Sequence, residues 1–279
     1  MKIAVTGANG YIGSHIIKEL LDYNHKVTAV DFNSDRIDKR ADFLSIDIFN
    51  RNINIFETLN QPDVVLHFAC KDVPVHNSLW HIDNIDSNFY FVKNLIDNGL
   101  KYIITAGSMH DIGYFEGKMP EDAVPNPQTF YGISKNTLRQ LIEVYIKDKN
   151  VHYSHLRFFY THGDDEQSSG SIFSKILQMS KEGKKTFPFT DGKNQFDYIN
   201  INELAKQVRA VAEQTEITGI INCCSGKPTA IKDQVEWFIK TNKLDIAPEY
   251  GAFPSRPYDS PCIYGDNAKI TKILNKLKS

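Results

Sequence analysis

The chain has 279 residues, with 32 basic and 34 acidic side chains and a formal net charge of −2, enough length for one large domain or two small ones. A hydrophobic fraction of 41% and an aromatic fraction of 11% exclude a disordered chain, a collagen and a disulfide miniprotein. Near-neutral charge leaves no field for non-specific nucleic-acid binding, and no apolar run approaches the roughly 20 residues that span a bilayer.

Lys2–Thr6 (KIAVT) reads as a buried strand, and the segment after Gly10 places Ile12, Ile16, Ile17, Leu20 and Leu21 on one helical face. Lys26–Asp31 is the next strand, Asp42–Ile46 a third and Asp63–Phe68 a fourth. A long helix follows through Asn88, Val92, Leu95 and Ile96. Lys101–Thr105 is a fifth strand. A loop rich in glycine and proline leads to a helix from about Pro127 to Lys147 and a strand at His152–Phe158. Beyond turn-forming residues at Gly163-Asp164-Asp165, Asn202–Cys224 reads as a helix–strand unit returning to the sheet. More turn formers gather around Pro248–Pro261, and Asp266–Lys278 reads as a lysine-rich surface helix.

This alternation predicts an α/β fold, a Rossmann-like doubly wound parallel sheet with a smaller, discontinuous C-terminal substrate lobe. Residues 1–160 form the expected dinucleotide-binding domain, with 197–224 returning to it. Residues 161–196 and 225–279 form the expected substrate lobe. Cys70, Cys223, Cys224 and Cys262 show neither a CxxC pair nor metal-ligand spacing. With a start that turns glycine-rich before any signal-peptide core, they predict a cytoplasmic protein with reduced thiols and no metal site.

Gly7-Ala8-Asn9-Gly10-Tyr11-Ile12-Gly13 sits between the first strand and the first helix. Glycines there permit a tight turn and close approach of backbone to a pyrophosphate, and the helix start supplies N–H groups and positive dipole. Asp31 ends the second strand, where a carboxylate can accept both ribose hydroxyls and repel a 2′-phosphate. The pattern predicts NAD, with Arg36 close enough to keep NADP open.

Tyr131-Gly132-Ile133-Ser134-Lys135 opens the helix that follows the proline-rich loop. Residues i and i+4 share a helix face, so phenol and ammonium point into one space. A cation beside a phenol lowers its pKa from about 10, which suits proton exchange with a substrate oxygen.

Together, the GxxGxxG turn, the strand-end Asp31 and the Tyr131–Lys135 pair resemble the extended short-chain dehydrogenase/reductase family. Its usual members are NAD-dependent sugar-nucleotide epimerases, dehydratases and reductases. The resemblance implies cofactor contacts from Gly7, Gly10, Tyr11, Ile12, Gly13 and Asp31. It adds an adenine-contacting pair Asp47-Ile48, the strand-four residues Phe68-Ala69 after His67, Asn88 on the next helix, and Tyr131 and Lys135. Anchored on Gly113, it puts Ser108 at the catalytic hydroxyl beside Tyr131 and Lys135. Asp197-Tyr198-Ile199 resembles the family's RDF-type segment, and Arg256-Pro257-Tyr258-Asp259 the segment whose arginine grips the substrate diphosphate. Substrate contacts then fall to Ser108, His110, Tyr131 and Arg256. The resemblance further implies a homodimer through the helices near Asn88 and Tyr131.

The dehydratases carry an Asp-Glu dyad directly after the catalytic hydroxyl, because losing water needs an acid and a base. Here those positions hold Met109 and His110, which disfavours a 4,6-dehydratase. Phe196 stands where an arginine usually precedes the aspartate, and Tyr160 where an asparagine is usual. The expected activity is therefore an NAD(P)-dependent oxidoreductase at C4 of a nucleoside-diphosphate hexose, a 4-keto-6-deoxysugar reductase or the reverse dehydrogenase. A 4-epimerase is the alternative that uses the same residues. A catalytically silent NAD(P)-binding sensor is the alternative of another class, against which the retention of Ser108, Tyr131 and Lys135 argues.

Overall fold

The computed structural model describes residues 1–163, 172–254 and 260–277. Its first half runs β1 (Lys2–Thr6), α1 (Tyr11–Asp22), β2 (Lys26–Val30), β3 (Asp42–Leu44), α2 (Ile55–Thr58), β4 (Val64–His67), α3 (Trp80–Asp83), α4 (Ile85–Asp97), β5 (Tyr102–Ser108), β6 (Gly117–Met119) and α5 (Phe130–Ile146). The rest runs β7 (His152–Phe158), β8 (Tyr160–His162), α6 (Ile172–Lys181), β9 (Thr186–Pro188), β10 (Gln195–Asn200), α7 (Ile201–Ala212), β11 (Gly219–Cys223), β12 (Pro228–Ala230), α8 (Ile231–Thr241), β13 (Ala247–Glu249), β14 (Cys262–Gly265) and α9 (Ala268–Lys276).

Seven parallel strands form the larger sheet in the order β3-β2-β1-β4-β5-β7-β11. Successive side chains of a strand point to opposite faces, so each central strand feeds two cores. Ile3 and Val5 join α1, α7 and α9 on one face, while Ala4 joins α2, α4 and α5 on the other. The sheet is thus a Rossmann-like, doubly wound one. The reversal of strand order between β1 and β4 opens a crevice at the C-terminal strand ends, the usual ligand position in such sheets.

The smaller sheet runs β12-β10-β14-β6, with β8 pairing β10. Two of its strands come from stretches expected to serve the larger sheet. Gly117–Met119 pairs with Cys262–Gly265, and Gln195–Asn200 lies between Pro228–Ala230 and Cys262–Gly265. Conversely, the helix Ala268–Lys276 buries Ile270 and Ile273 in the larger sheet's core; Lys272 and Lys276 are exposed, while Lys269 donates to the Thr218 and Ile220 carbonyls, each at 2.7 Å. Asp197 ties the smaller sheet together. Its carboxylate is wholly buried and accepts N–H groups from Ser225 at 2.8 Å, Gly226 at 2.9 Å and Gly265 at 3.1 Å.

Two boundaries differ from the sequence pattern for identifiable reasons. β5 continues past Thr105 to Ser108 because β7 pairs with it all the way to Ser108↔Phe158. The helix expected from Pro127 begins at Phe130, where Thr129 caps it by accepting the Gly132 N–H at 3.2 Å. Among the described residues no helix is long and apolar enough to cross a membrane.

Candidate active site

At the head of the crevice, the glycine-rich turn is closed by contacts only glycine permits. Gly7 has φ +70°, and a Cβ there would lie 2.7 Å from the Phe68 carbonyl carbon; one at Gly13 would lie 2.2 Å from the Gly7 oxygen. Turn, β4 end and helix therefore meet backbone to backbone. α1 starts at Tyr11 and Ile12 with Gly10 as N-cap, no side-chain cap and no acidic residue in its first turn. Its positive end is left to the crevice. Beside it, the Asp31 carboxylate accepts the Asn9 N–H at 3.0 Å and the Phe32 N–H at 2.7 Å, which aims it across the turn. An uncapped helix start, a backbone-lined turn and a carboxylate at the end of β2 fit the pyrophosphate and ribose of a dinucleotide.

The remaining expected cofactor residues surround this crevice in different ways. Phe68 and Ala69 donate their N–H groups to the Thr6 hydroxyl, each at 3.2 Å. That hydroxyl contacts His67 Nδ1 at 2.8 Å, and His67 Nε2 faces Asn88 Oδ1, also at 2.8 Å. Asn88 donates in turn to the Asn84 carbonyl at 2.7 Å. Burial, with Lys135 adding to it, pushes the His67 imidazole down to about 4 despite the opposing bond from Asn88. Ile48 is buried against Val30 in the core, while Asp47 is exposed and spends one oxygen on the Phe49 N–H at 2.9 Å.

Tyr131 and Ser108 come together at the end of β5. Ser108 is buried and caps a single 3-10 turn, Met109–Asp111, whose Asp111 carboxylate returns to the Ser108 N–H at 3.1 Å. Helix α5 presses on this turn, since a Cβ at Gly132 would sit 2.2 Å from the His110 oxygen. Burial drives the Tyr131 phenol well above the ordinary tyrosine value, and Cys70 and Asp111 push the same way; the Ser108 hydroxyl opposes them. Lys135 shares the helix face as expected, yet its ammonium lies over the phenol ring, 5.7 Å from the centroid. A cation over the π-face acts mainly on the ring quadrupole. The Ser108 hydroxyl is the group seen to favour the phenolate.

Behind Ser108 lies a buried polar chain. Asp111 Oδ2 contacts His155 Nε2 at 2.7 Å, His155 Nδ1 contacts the Thr105 hydroxyl at 2.9 Å, and that hydroxyl meets the Tyr153 phenol at 2.8 Å. Desolvation lowers the His155 pKa against the pull of Asp111. All four groups are buried. They hold the Ser108 turn against β7.

Two histidines absent from the sequence expectations clamp Tyr131. His76 lies nearly parallel to its ring at 5.4 Å between centroids and 14° between planes, and buried His81 meets it edge-on at 5.2 Å. His110, expected at the substrate, stands 6.3 Å from Tyr131 and 4.4 Å from His76, ring to ring. Burial first and His76 second push His110 down to about 4. No local motif marks His76, in the irregular chain after β4, or His81, in the single-turn helix α3.

A cavity of about 690 Å³ extends from these rings toward the smaller sheet, with His76, His110 and Thr129 at one end and Tyr160, Phe196 and Ile263 on the far wall. Its size suits an organic ligand. Phe196, at the position where an arginine is usual, packs on Tyr160 at 5.0 Å. Arg256 lies outside the described residues.

A family model for the NAD dependent epimerase/dehydratase family matches residues 3–224. The chain belongs to that family. This NAD-dependent epimerase/dehydratase family member is 36% identical over 275 residues to dTDP-6-deoxy-L-talose 4-dehydrogenase (NAD(+)) of Aggregatibacter actinomycetemcomitans, covering 95% of this chain and 99% of the relative. A putative UDP-glucose 4-epimerase of Methanocaldococcus jannaschii is 26% identical, with 83% and 79% covered. Among solved structures, UDP-glucuronic acid 4-epimerase from Bacillus cereus, in complex with UDP-glucuronic acid and NAD, superposes with a TM-score of 0.82 at 25% identity over 99% of this chain and 93% of that one.

Proposed function

We propose that the protein is an NAD-dependent oxidoreductase acting at C4 of a nucleoside-diphosphate hexose, interconverting the hydroxyl and keto forms of a 6-deoxysugar. The observation that carries this reading is the meeting of Tyr131 and Ser108 next to a cavity lined by His76, Met109, His110 and Thr129, in a chain similar over its length to a sugar-nucleotide 4-dehydrogenase. When bound, the nicotinamide supplies the two-electron acceptor or donor. The Tyr131 phenol takes or returns the proton of the C4 oxygen, and the Ser108 hydroxyl, fixed by the Asp111 cap, aligns that oxygen. Lys135 serves the nicotinamide ribose and the phenol from the same helix face.

The larger sheet holds the dinucleotide in this reading, through Gly7, Gly10, Tyr11, Ile12, Gly13, Asp31, Asp47, Ile48, Phe68, Ala69 and Asn88. The smaller sheet walls the sugar-nucleotide side. His110 contacts the sugar, and Arg256 grips the diphosphate with its planar fork. Exposed Tyr90 on α4, with Leu141 and Val144 on α5, supports a homodimer through these helices. Four free thiols support a reducing, cytoplasmic setting.

A second reading, a 4-epimerase, is favoured by relatives with epimerase names such as that of Methanocaldococcus jannaschii. The deciding experiment incubates the protein with NAD and candidate nucleoside-diphosphate 6-deoxyhexoses while following cofactor reduction and sugar product. One NADH formed per keto sugar supports the dehydrogenase. Interconversion of C4 epimers without net NADH makes it an epimerase, and no turnover of any nucleotide sugar removes both.

A further inference from the structure

The loop between β4 and α3 delivers a side chain to the reacting end of the cavity that neither the motif nor the proton chemistry uses. His76 offers its backbone carbonyl to the Tyr131 N–H at 2.9 Å, and Asn77 Oδ1 accepts the Phe130 N–H at 3.2 Å. Two of the first-turn N–H groups of the helix that carries Tyr131 are therefore satisfied by this loop. The joint sets the His76 imidazole flat against the phenol ring, 14° from parallel, with its edge toward His110 at 4.4 Å. The ring is partly buried and lines the cavity, and among the described residues no hydrogen bond ties either of its nitrogens.

We propose that His76 is a sugar-binding residue, its imidazole hydrogen-bonding a hydroxyl on a carbon next to the one that reacts at Tyr131. The proposal rests on the reading of the substrate as a nucleotide sugar. Burial and the neighbouring His81 hold the His76 pKa below its ordinary value, so near neutral pH the ring carries one donor and one acceptor. That complement matches a hydroxyl better than a carboxylate. The stack on Tyr131 fixes the plane in which the bond is made, so the residue reads the sugar without taking a proton itself.

The test compares wild type, His76→Phe and His76→Gln in steady-state kinetics with NAD and the nucleotide sugar that wild type turns over. Phenylalanine keeps the stacked plane and loses both nitrogens; glutamine loses the plane and keeps a donor and an acceptor. Inhibition by the nucleoside diphosphate without its sugar, and NAD affinity, are measured alongside. His76→Phe is expected to raise KM for the nucleotide sugar about tenfold, with kcat changed less than about threefold. Diphosphate inhibition and NAD affinity stay at wild-type values, and His76→Gln recovers most of the KM. An unchanged KM in His76→Phe, or a loss confined to kcat, means that the ring only buttresses Tyr131 and overturns the proposal. Diphosphate inhibition that weakens in step with KM overturns it as well, since the whole loop has then moved. A wild-type protein that neither binds nor converts any nucleotide sugar overturns this proposal together with the reading beneath it.

Discussion

The Lys135 ammonium lies over the Tyr131 ring, 5.7 Å from its centre and one helical turn along α5. Lys135 also adds to the forces that keep His67 neutral, so its charge is felt both at Tyr131 and at the end of β4. The phenol is buried, which raises its pKa, and the Ser108 hydroxyl favours release of its proton.

Replacing Tyr131 by phenylalanine removes the one group poised to exchange a proton with the C4 oxygen while keeping the ring that His76 and His81 enclose. Turnover should fall about 10²- to 10⁴-fold, the usual contribution of general acid–base catalysis. NAD affinity and melting temperature should stay near wild type. Rates of cofactor reduction check this, and near-normal kcat would falsify the assigned role.

Asp31→Ala takes away the carboxylate between the glycine turn and the start of the loop after β2, which accepts the Asn9 and Phe32 N–H groups. Charge-assisted hydrogen bonds contribute about 1.5–3 kcal/mol, so NAD should bind roughly 10- to 100-fold more weakly. NADP should lose less, because a negative charge facing its 2′-phosphate has gone. Titration calorimetry with both dinucleotides reads the ratio; an unaltered preference would remove Asp31 from the ribose site.

Asp197→Asn tests the smaller sheet rather than the chemistry. The buried carboxylate answers three backbone N–H groups and the Ser225 hydroxyl, the last at 2.7 Å. An amide cannot accept at both ends, and its own donors would face N–H groups. Chemical denaturation should show a loss of about 2–4 kcal/mol. A loss well under about 1 kcal/mol would mean that the carboxylate is not the tie between β10, β14 and the turn after β11.

Stability should depend on pH through the buried imidazoles. His67 and His110 are held at about 4, against an ordinary 6.5, and His76 and His155 are also lowered. Between about 4 and 6.5 the unfolded chain binds protons that the fold refuses. Stability is therefore full above the ordinary histidine range and is lost as pH falls toward 4. Each strongly lowered histidine contributes about 1.4 kcal/mol per pH unit across that window. Denaturant midpoints from pH 7.5 to 4.5 check the slope, and His67→Gln should make it shallower by about one histidine. A flat profile contradicts the neutral, buried state of these rings.

The alternation of strands and helices, the glycine turn at 7–13 and the Tyr131–Lys135 spacing were legible because each depends on neighbours along the chain. A strand feeding two faces needs only its own period, and a phosphate turn needs only glycines that tolerate positive φ or close approach. Other features depend on loop closure between distant segments and leave no local mark. The Ser108 turn is braced by an Asp111–His155 contact across 44 residues, and Gly117–Met119 found its partner in Cys262–Gly265 rather than in the nearer sheet. His76 and His81 meet Tyr131 where the loop after β4 satisfies the first N–H groups of α5. Sequence alone therefore determined the doubly wound fold and the shared helix face of Tyr131 and Lys135. Tertiary packing decided how the phenol is enclosed, since desolvation and ring contacts are set by which distant side chains arrive around it.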